Sequence, residues 1–234
     1  MCGRYNLQGS WSDLVRLYRI VEDVTPLNLR PRYNIAPTQD VVVVRKGPDG
    51  KGRDLSMMRW GLVPSWAKDV AIGARLINAR AETVAEKPSF RDAHRRRRCL
   101  IPDDGFYEWQ KRSGGAKQPY LITLEDQQPI AFAGLWERWD KASDGGPVHT
   151  CAIITTEAND LLRPIHGRMP VILDAANHDA WLNADGDEVT SLLRPYPSDG
   201  MRAGPVGAYV NRAANDDPKC LEPGEVGGAE RLLL

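Results

Sequence analysis

Apolar positions along the chain alternate more often than they follow a helical period. Residues Val41–Lys46 form a β-branched run, Pro48 to Gly52 reads as a turn, and Leu55–Trp60 resumes the apolar pattern, which predicts a hairpin. A second hairpin is predicted from Phe106–Gln110 and Tyr120–Glu125 around a Ser113-Gly114-Gly115 turn. Ile130–Trp136, His149–Thr156 and a late Val206–Val210 extend the strand pattern. Between Ser10 and Ile20, Trp11, Leu14, Val15, Leu17 and Tyr18 fall at helical spacing, with Ser10 or Ser12 as the cap. Short helices are expected at Ala158–Leu162, Ala175–Leu182 (capped by Asp174) and Glu188–Leu193. Strands cluster rather than alternate with helices. The pattern therefore predicts an α+β fold, a mostly antiparallel, curled or barrel-like sheet core with short flanking helices. A single domain is expected over residues 1–222, with a flexible tail over 223–234.

Composition narrows the class. The chain has 234 residues, with 31 Lys+Arg against 31 Asp+Glu. No apolar run approaches 18 residues and no leader is visible, which predicts a cytoplasmic protein without a membrane span, nucleoid-associated in a bacterium. Zero net charge argues against a uniform polycation, yet the charge is unevenly distributed. Residues 1–110 carry 19 Lys and Arg against 13 Asp and Glu, and residues 111–234 carry 12 against 18. A local basic channel for a nucleic acid remains open. Cys2, Cys99, Cys151 and Cys220 form no C-x-x-C pair, and His94, His149, His166 and His178 lack ligand spacing. No metal or organic cofactor is implied. Cys99 and Cys151 lie in apolar stretches and read as small buried hydrophobes. Cys2 differs, because removal of the initiator Met would leave it with an α-amine and a thiol on adjacent carbons.

Four polar segments carry candidate chemistry: Cys2-Gly3-Arg4-Tyr5, Ile77-Asn78-Ala79-Arg80-Ala81-Glu82, Asp104-Gly105-Phe106-Tyr107-Glu108-Trp109 and Pro164-Ile165-His166-Gly167-Arg168-Met169-Pro170. As a strand, the second would place Asn78, Arg80 and Glu82 on one face. In the third, Glu108 would share a face with Phe106, opposite Tyr107 and Trp109. Singly, each has an ordinary reading: a solvated Glu, a loop His, an Asn closing a backbone bond.

Together with Arg32–Thr38, Arg59–Trp66, Arg98–Pro102 and the late Val210-Asn211 and Asn215–Pro218, these segments resemble, in order, the SOS response-associated peptidase (SRAP) family over roughly residues 2–222. Members of that family include shield proteins that crosslink to abasic sites in single-stranded DNA. The resemblance implies Cys2 as nucleophile, with Asn78, Glu108 and His166 as its catalytic neighbours. It also implies self-removal of Met1. A 1,2-aminothiol suits the aldehyde of an opened abasic site: the amine forms an imine and the thiol closes a thiazolidine intramolecularly. An α-amine titrates near about 8, far below a lysine, so a useful fraction is neutral at physiological pH. β-Elimination from the same imine would give an AP-lyase side activity.

DNA contacts are expected from Arg4, Arg80 and Arg168, each two residues from a catalytic candidate and taken to share a face, and from Pro37, Trp66 and Trp109. Some members have an aromatic pair where this chain has Trp66-Ala67, which shrinks any stacking surface there. The Arg95–Arg98 run reads as a solvated face ahead of DNA contact. Two alternatives stand beside this reading: a cysteine peptidase acting on other proteins, and a non-catalytic DNA-binding module.

Overall fold

The computed structural model describes residues 2–20, 26–47, 50–115, 117–141, 146–184 and 186–224. Twelve strands and four short α-helices are found among them. Strands β1 (Tyr5–Leu7), β2 (Arg32–Ile35), β3 (Asp40–Lys46), β4 (Arg53–Trp60), β5 (Asn78–Arg80) and β6 (Arg98–Asp103) come from the first half. β7 (Gly105–Lys111), β8 (Lys117–Leu124), β9 (Ile130–Trp139), β10 (Val148–Glu157), β11 (Arg168–Pro170) and β12 (Met201–Pro205) follow. The architecture is α+β, as the pattern predicts.

Two sheets share one core. The first is antiparallel, in the order β12-β8-β7-β1-β2. The second closes on itself. β10 pairs with β4, β4 with β3, β3 with β6, β6 with β9 and β9 with β10, giving a five-stranded barrel. Closure removes the exposed edges that an open sheet would present. Tyr5 of the first sheet packs edge-on against Trp60 and Phe132 of the barrel, with ring centroids 5.4 and 6.0 Å apart. Burying such a ring contributes on the order of 2 kcal/mol. Cys99 and Cys151 are buried in this core, as expected.

Both predicted hairpins are present, β3–β4 and β7–β8, the second with its Gly-containing turn. Pro48 and Asp49 of the first turn lie outside the described residues, as do residues 225–234 of the expected tail. Helix α1 (Trp11–Tyr18) begins at Ser10, which forms a capping box with Asp13. Leu14 and Tyr18 are buried, while Leu17 falls off the stripe and stays exposed.

Several expectations are corrected. Ala158–Leu162 is not helical; Asn159 accepts from the Leu162 N–H and shapes a turn instead. Residues Ala175–Asn177 form a 3-10 turn before α3 (His178–Asn183), and the Asp174 side chain does not cap it. The third predicted helix is shorter, α4 (Gly186–Thr190). The late strand lies earlier, at β12, and Ala208–Asn211 is 3-10. The arginine run divides: Arg95 and Arg96 are exposed, as expected, while Arg97 and Arg98 are structural. It closes α2 (Arg91–Arg96) and enters β6. Arg98 donates to the carbonyls of His94, Trp181 and Ala184, and Arg97 pairs with Glu137.

The placement of the site follows from one crossover. After Trp60, the chain leaves β10 for residues 61–77 and returns to the same strand as β5, parallel to it. The departure needs Gly61, which has φ +133° and meets Gly73 backbone to backbone. A Cβ at Gly61 would lie 2.7 Å from the Gly73 carbonyl oxygen. The far end of β10 is thus flanked by β5 on one side and β11 on the other.

Candidate functional site

The candidate residues meet where the antiparallel sheet packs against the barrel. The first sheet supplies Cys2 and Glu108. β1 runs against β7, pairing Tyr5 with Phe106, and the Tyr107 N–H donates to the Arg4 carbonyl. Glu108 therefore lies beside the segment that precedes β1. Phe106 points into the main core while Tyr107 and Trp109 join a second apolar cluster, the face alternation expected of this strand. The barrel supplies Asn78 on β5 and His166, whose ring is held by the start of β11.

The contacts tie these four residues together. Asn78 Nδ2 donates to the Cys2 carbonyl at 2.8 Å. Asn78 Oδ1 is enclosed with no partner among the described residues. His166 Nδ1 lies 3.9 Å from Glu108 Oε1. It also sits 3.1 Å from both the N–H and the carbonyl of Arg168. These two contacts fix the orientation of the imidazole. Glu108 is buried, which pushes its carboxyl above the usual range, against the opposing charge of His166. The Cys2 thiol is wholly enclosed. Burial first, then the charges of Glu108 and Asp103, push its pKa well up.

The three arginines are not equivalent, and only Asn78 and Arg80 share a strand. β5 ends at Arg80, so Glu82 falls in a 3-10 turn (Ala81–Thr83) rather than on the same strand face. From there Glu82 grips Arg168 in a bidentate pair at 2.6 and 3.0 Å. Arg168 also donates to the Thr155 carbonyl. Arg4 donates to Asn34 Oδ1 at 2.9 Å and to the Val210 carbonyl at 3.0 Å, and its guanidinium lies over the Trp109 ring. The Arg80 side chain is exposed and makes no hydrogen bond or ion pair among the described residues, its charge reaching Glu82 only at longer range. Pro37 is half-buried in the β2–β3 loop and Trp66 is exposed in the crossover, where its indole donates to the Pro88 carbonyl. Neither makes a hydrogen bond or ring contact with the four-residue cluster among the described residues.

Residues beyond the predicted set support the site. Asn34 donates to the carbonyls of Val210, Arg212 and Asn215, and Asp216 accepts from the N–H groups of Tyr33 and Asn34 and pairs with Arg32. These bonds hold the late segment over Arg4. Both residues lie inside segments already singled out, Arg32–Thr38 and Asn215–Pro218, but their roles depend on a meeting 182 residues apart in sequence. Asp103 had no such signal. It is wholly buried at the end of β6, and both carboxyl oxygens lack a partner among the described residues. Burial, then the charge of Asp104, holds it well above the ordinary carboxylate range.

The chain and its fold match a defined group of proteins. The family model of the SOS response associated peptidases (SRAP) matches residues 1–213, and the chain belongs to that family. Among its relatives, abasic site processing protein YoqW of Bacillus subtilis is 44% identical over 225 residues, covering 95% of this chain and 99% of that protein. Abasic site processing protein HMCES of Gallus gallus is 35% identical, covering 85% of this chain and 68% of its own. A solved structure from Bacteroides thetaiotaomicron superposes with a TM-score of 0.86 at 28% identity, covering 96% of this chain and all of the other. No described helix is long and apolar enough to cross a membrane.

Proposed function

We propose that the protein senses abasic sites in single-stranded DNA and becomes covalently joined to them through Cys2 once Met1 is removed. The observation that carries this reading is the grip of Asn78 on the Cys2 carbonyl, beside a buried Glu108 and His166. Three groups from distant segments, Asn78, Glu108 and His166, gather around the second residue of the chain. An active site built around a chain terminus fits chemistry that uses its amine.

The steps balance without a cofactor. The free α-amine of Cys2 adds to the C1 aldehyde of the opened sugar, and loss of water gives an imine. The thiol then adds to the imine carbon, and its proton passes to the nitrogen, closing a thiazolidine. Glu108, whose carboxyl burial holds above the usual range, supplies a proton to the departing hydroxyl. His166 exchanges protons at the sugar ring oxygen during opening. The unclaimed Asn78 Oδ1 accepts from the amine N–H and orients its lone pair. Glu108 and His166 also serve as proton donor and acceptor in the self-removal of Met1. β-Elimination from the imine competes with ring closure and gives AP-lyase activity.

The test is a denaturing gel of the protein with an oligonucleotide carrying one abasic site, with loss of Met1 checked by mass spectrometry. A heat-stable shifted band is expected from the processed wild type and not from Cys2→Ala. A band of full strength from Cys2→Ala, or none from the processed wild type, overturns the proposal.

A further inference from the structure

Asn78 and His166 reach the site from opposite sides of one strand. β10 carries β5 along one edge, with Asn78 opposite Ile153, and β11 along the other, with Arg168 opposite Glu157. We propose that Glu82 is a positioning residue of the reaction, which through Arg168 locks the His166 side of the site to the Asn78 side. This deepens the reading above and rests on it for the roles of Asn78 and His166.

Both flanking strands are three residues long, and strands that short have little pairing of their own to fix their place. Glu82 lies just past β5, in the 3-10 turn, and its carboxylate takes the Arg168 guanidinium at 2.6 and 3.0 Å, joining residues 86 apart in sequence. Two parallel bonds fix a direction as well as a distance. The same guanidinium donates to the Thr155 carbonyl at 2.7 Å, and Thr155 stands opposite Arg80 of β5 and Pro170 of β11. One side chain thus ties the end of β5 and the middle strand to the first residue of β11. The backbone of that residue is what seats His166, with Nδ1 3.1 Å from both the Arg168 nitrogen and its carbonyl oxygen. The path from Glu82 to the imidazole runs through Arg168 alone. The hydrogen bonds from Arg168 hold the Glu82 carboxyl below its usual range, so the pair stays ionised at neutral pH. Glu82 is about half exposed, and an ion pair so open to water adds little stability. What it supplies is geometry: a displacement of about 1 Å at a reacting group can cost about a hundredfold in rate.

The test separates the covalent step from binding in Glu82→Gln, which keeps the shape of the side chain and removes its charge. Crosslinking to an oligonucleotide with one abasic site, at saturating strand, should slow about tenfold. Affinity for a strand carrying a non-reactive tetrahydrofuran analogue should hold or tighten, because the freed Arg168 offers its charge to phosphate. In the DNA-free protein the imidazole nitrogen resonances of His166, assigned by their loss in His166→Ala, should move while the urea unfolding midpoint stays in place. A wild-type crosslinking rate or unmoved His166 resonances overturn the proposal. So does a loss of affinity and of unfolding midpoint in step with the rate, which would make the role of Glu82 structural only. The resonances require no abasic chemistry, and so keep the two readings apart. A wild type that crosslinks nothing, while Glu82→Gln moves the His166 resonances, loses the abasic reading and keeps the brace. A wild type that crosslinks, with Glu82→Gln equally fast, keeps the chemistry and loses the brace.

Discussion

Replacing Asp103 by Asn should change how stability depends on pH, with the fold unchanged. The Asp103 side chain is fully enclosed and neither oxygen has a partner among the described residues. An ionised carboxylate there would lose its hydration beside Asp104, with only the nearby Gly105 N–H to offset the loss, so the folded chain keeps the group protonated well above the ordinary carboxylate range. In the unfolded chain the same group ionises near about pH 3.9. Above that value the folded state holds a proton that the unfolded state has released. Stability therefore falls as pH rises, from the unfolded pKa up to the folded one, and levels off beyond it. The slope over that window is about 1.4 kcal/mol per pH unit. Asn keeps the shape and loses the titration. Urea unfolding of wild type and Asp103→Asn at pH 5, 6 and 7, followed by tryptophan fluorescence, gives the difference in stability at each pH. Subtraction cancels Glu108 and every other shared group. The variant should gain on wild type by about 1.4 kcal/mol per unit until the folded pKa is passed. A difference that stays flat from pH 5 to 7 refutes the buried, neutral carboxyl.

Two further outcomes follow from the geometry. Arg80→Ala should reduce the salt slope of single-strand binding by about 0.7, whereas Arg168→Ala should reduce it less, because Glu82 already neutralises that guanidinium; Glu82→Gln should steepen the slope by freeing Arg168, and equal slopes for both arginine variants would refute the distinction. Gly61→Ala should cost about 1–3 kcal/mol in urea unfolding, since its φ is +133° and the new Cβ would meet the Gly73 carbonyl at 2.7 Å, and an unchanged midpoint would show that the crossover can shift.

Alternation, turn residues and a capping serine were enough to predict the two hairpins, α1 and the α+β class, because these depend on residues within a few positions of one another. The order of the motifs likewise brought out Cys2, Asn78, Glu108 and His166 before any contact was known. The helix predicted at Ala158–Leu162 failed where a tertiary demand, the turn that carries the chain round to His166, outweighed local preference.

What sequence could not decide were meetings between distant segments. Arg4, Arg80 and Arg168 look alike in sequence, each two residues from a catalytic candidate. Folding separates them: Asn34 claims the first, Glu82 claims the third, and only Arg80 stays exposed and uncommitted among the described residues. Asp103 reads as one of two adjacent acids at a turn, yet the junction of β6 and β7 encloses it while Asp104 accepts from the Gln8 N–H at the surface. Charge and solvation depend on which groups lie within a few ångströms in space. The sequence by itself determined the candidate groups and their order along the chain, and the packing of the barrel against the second sheet decided which of those groups face water, a counter-ion or one another.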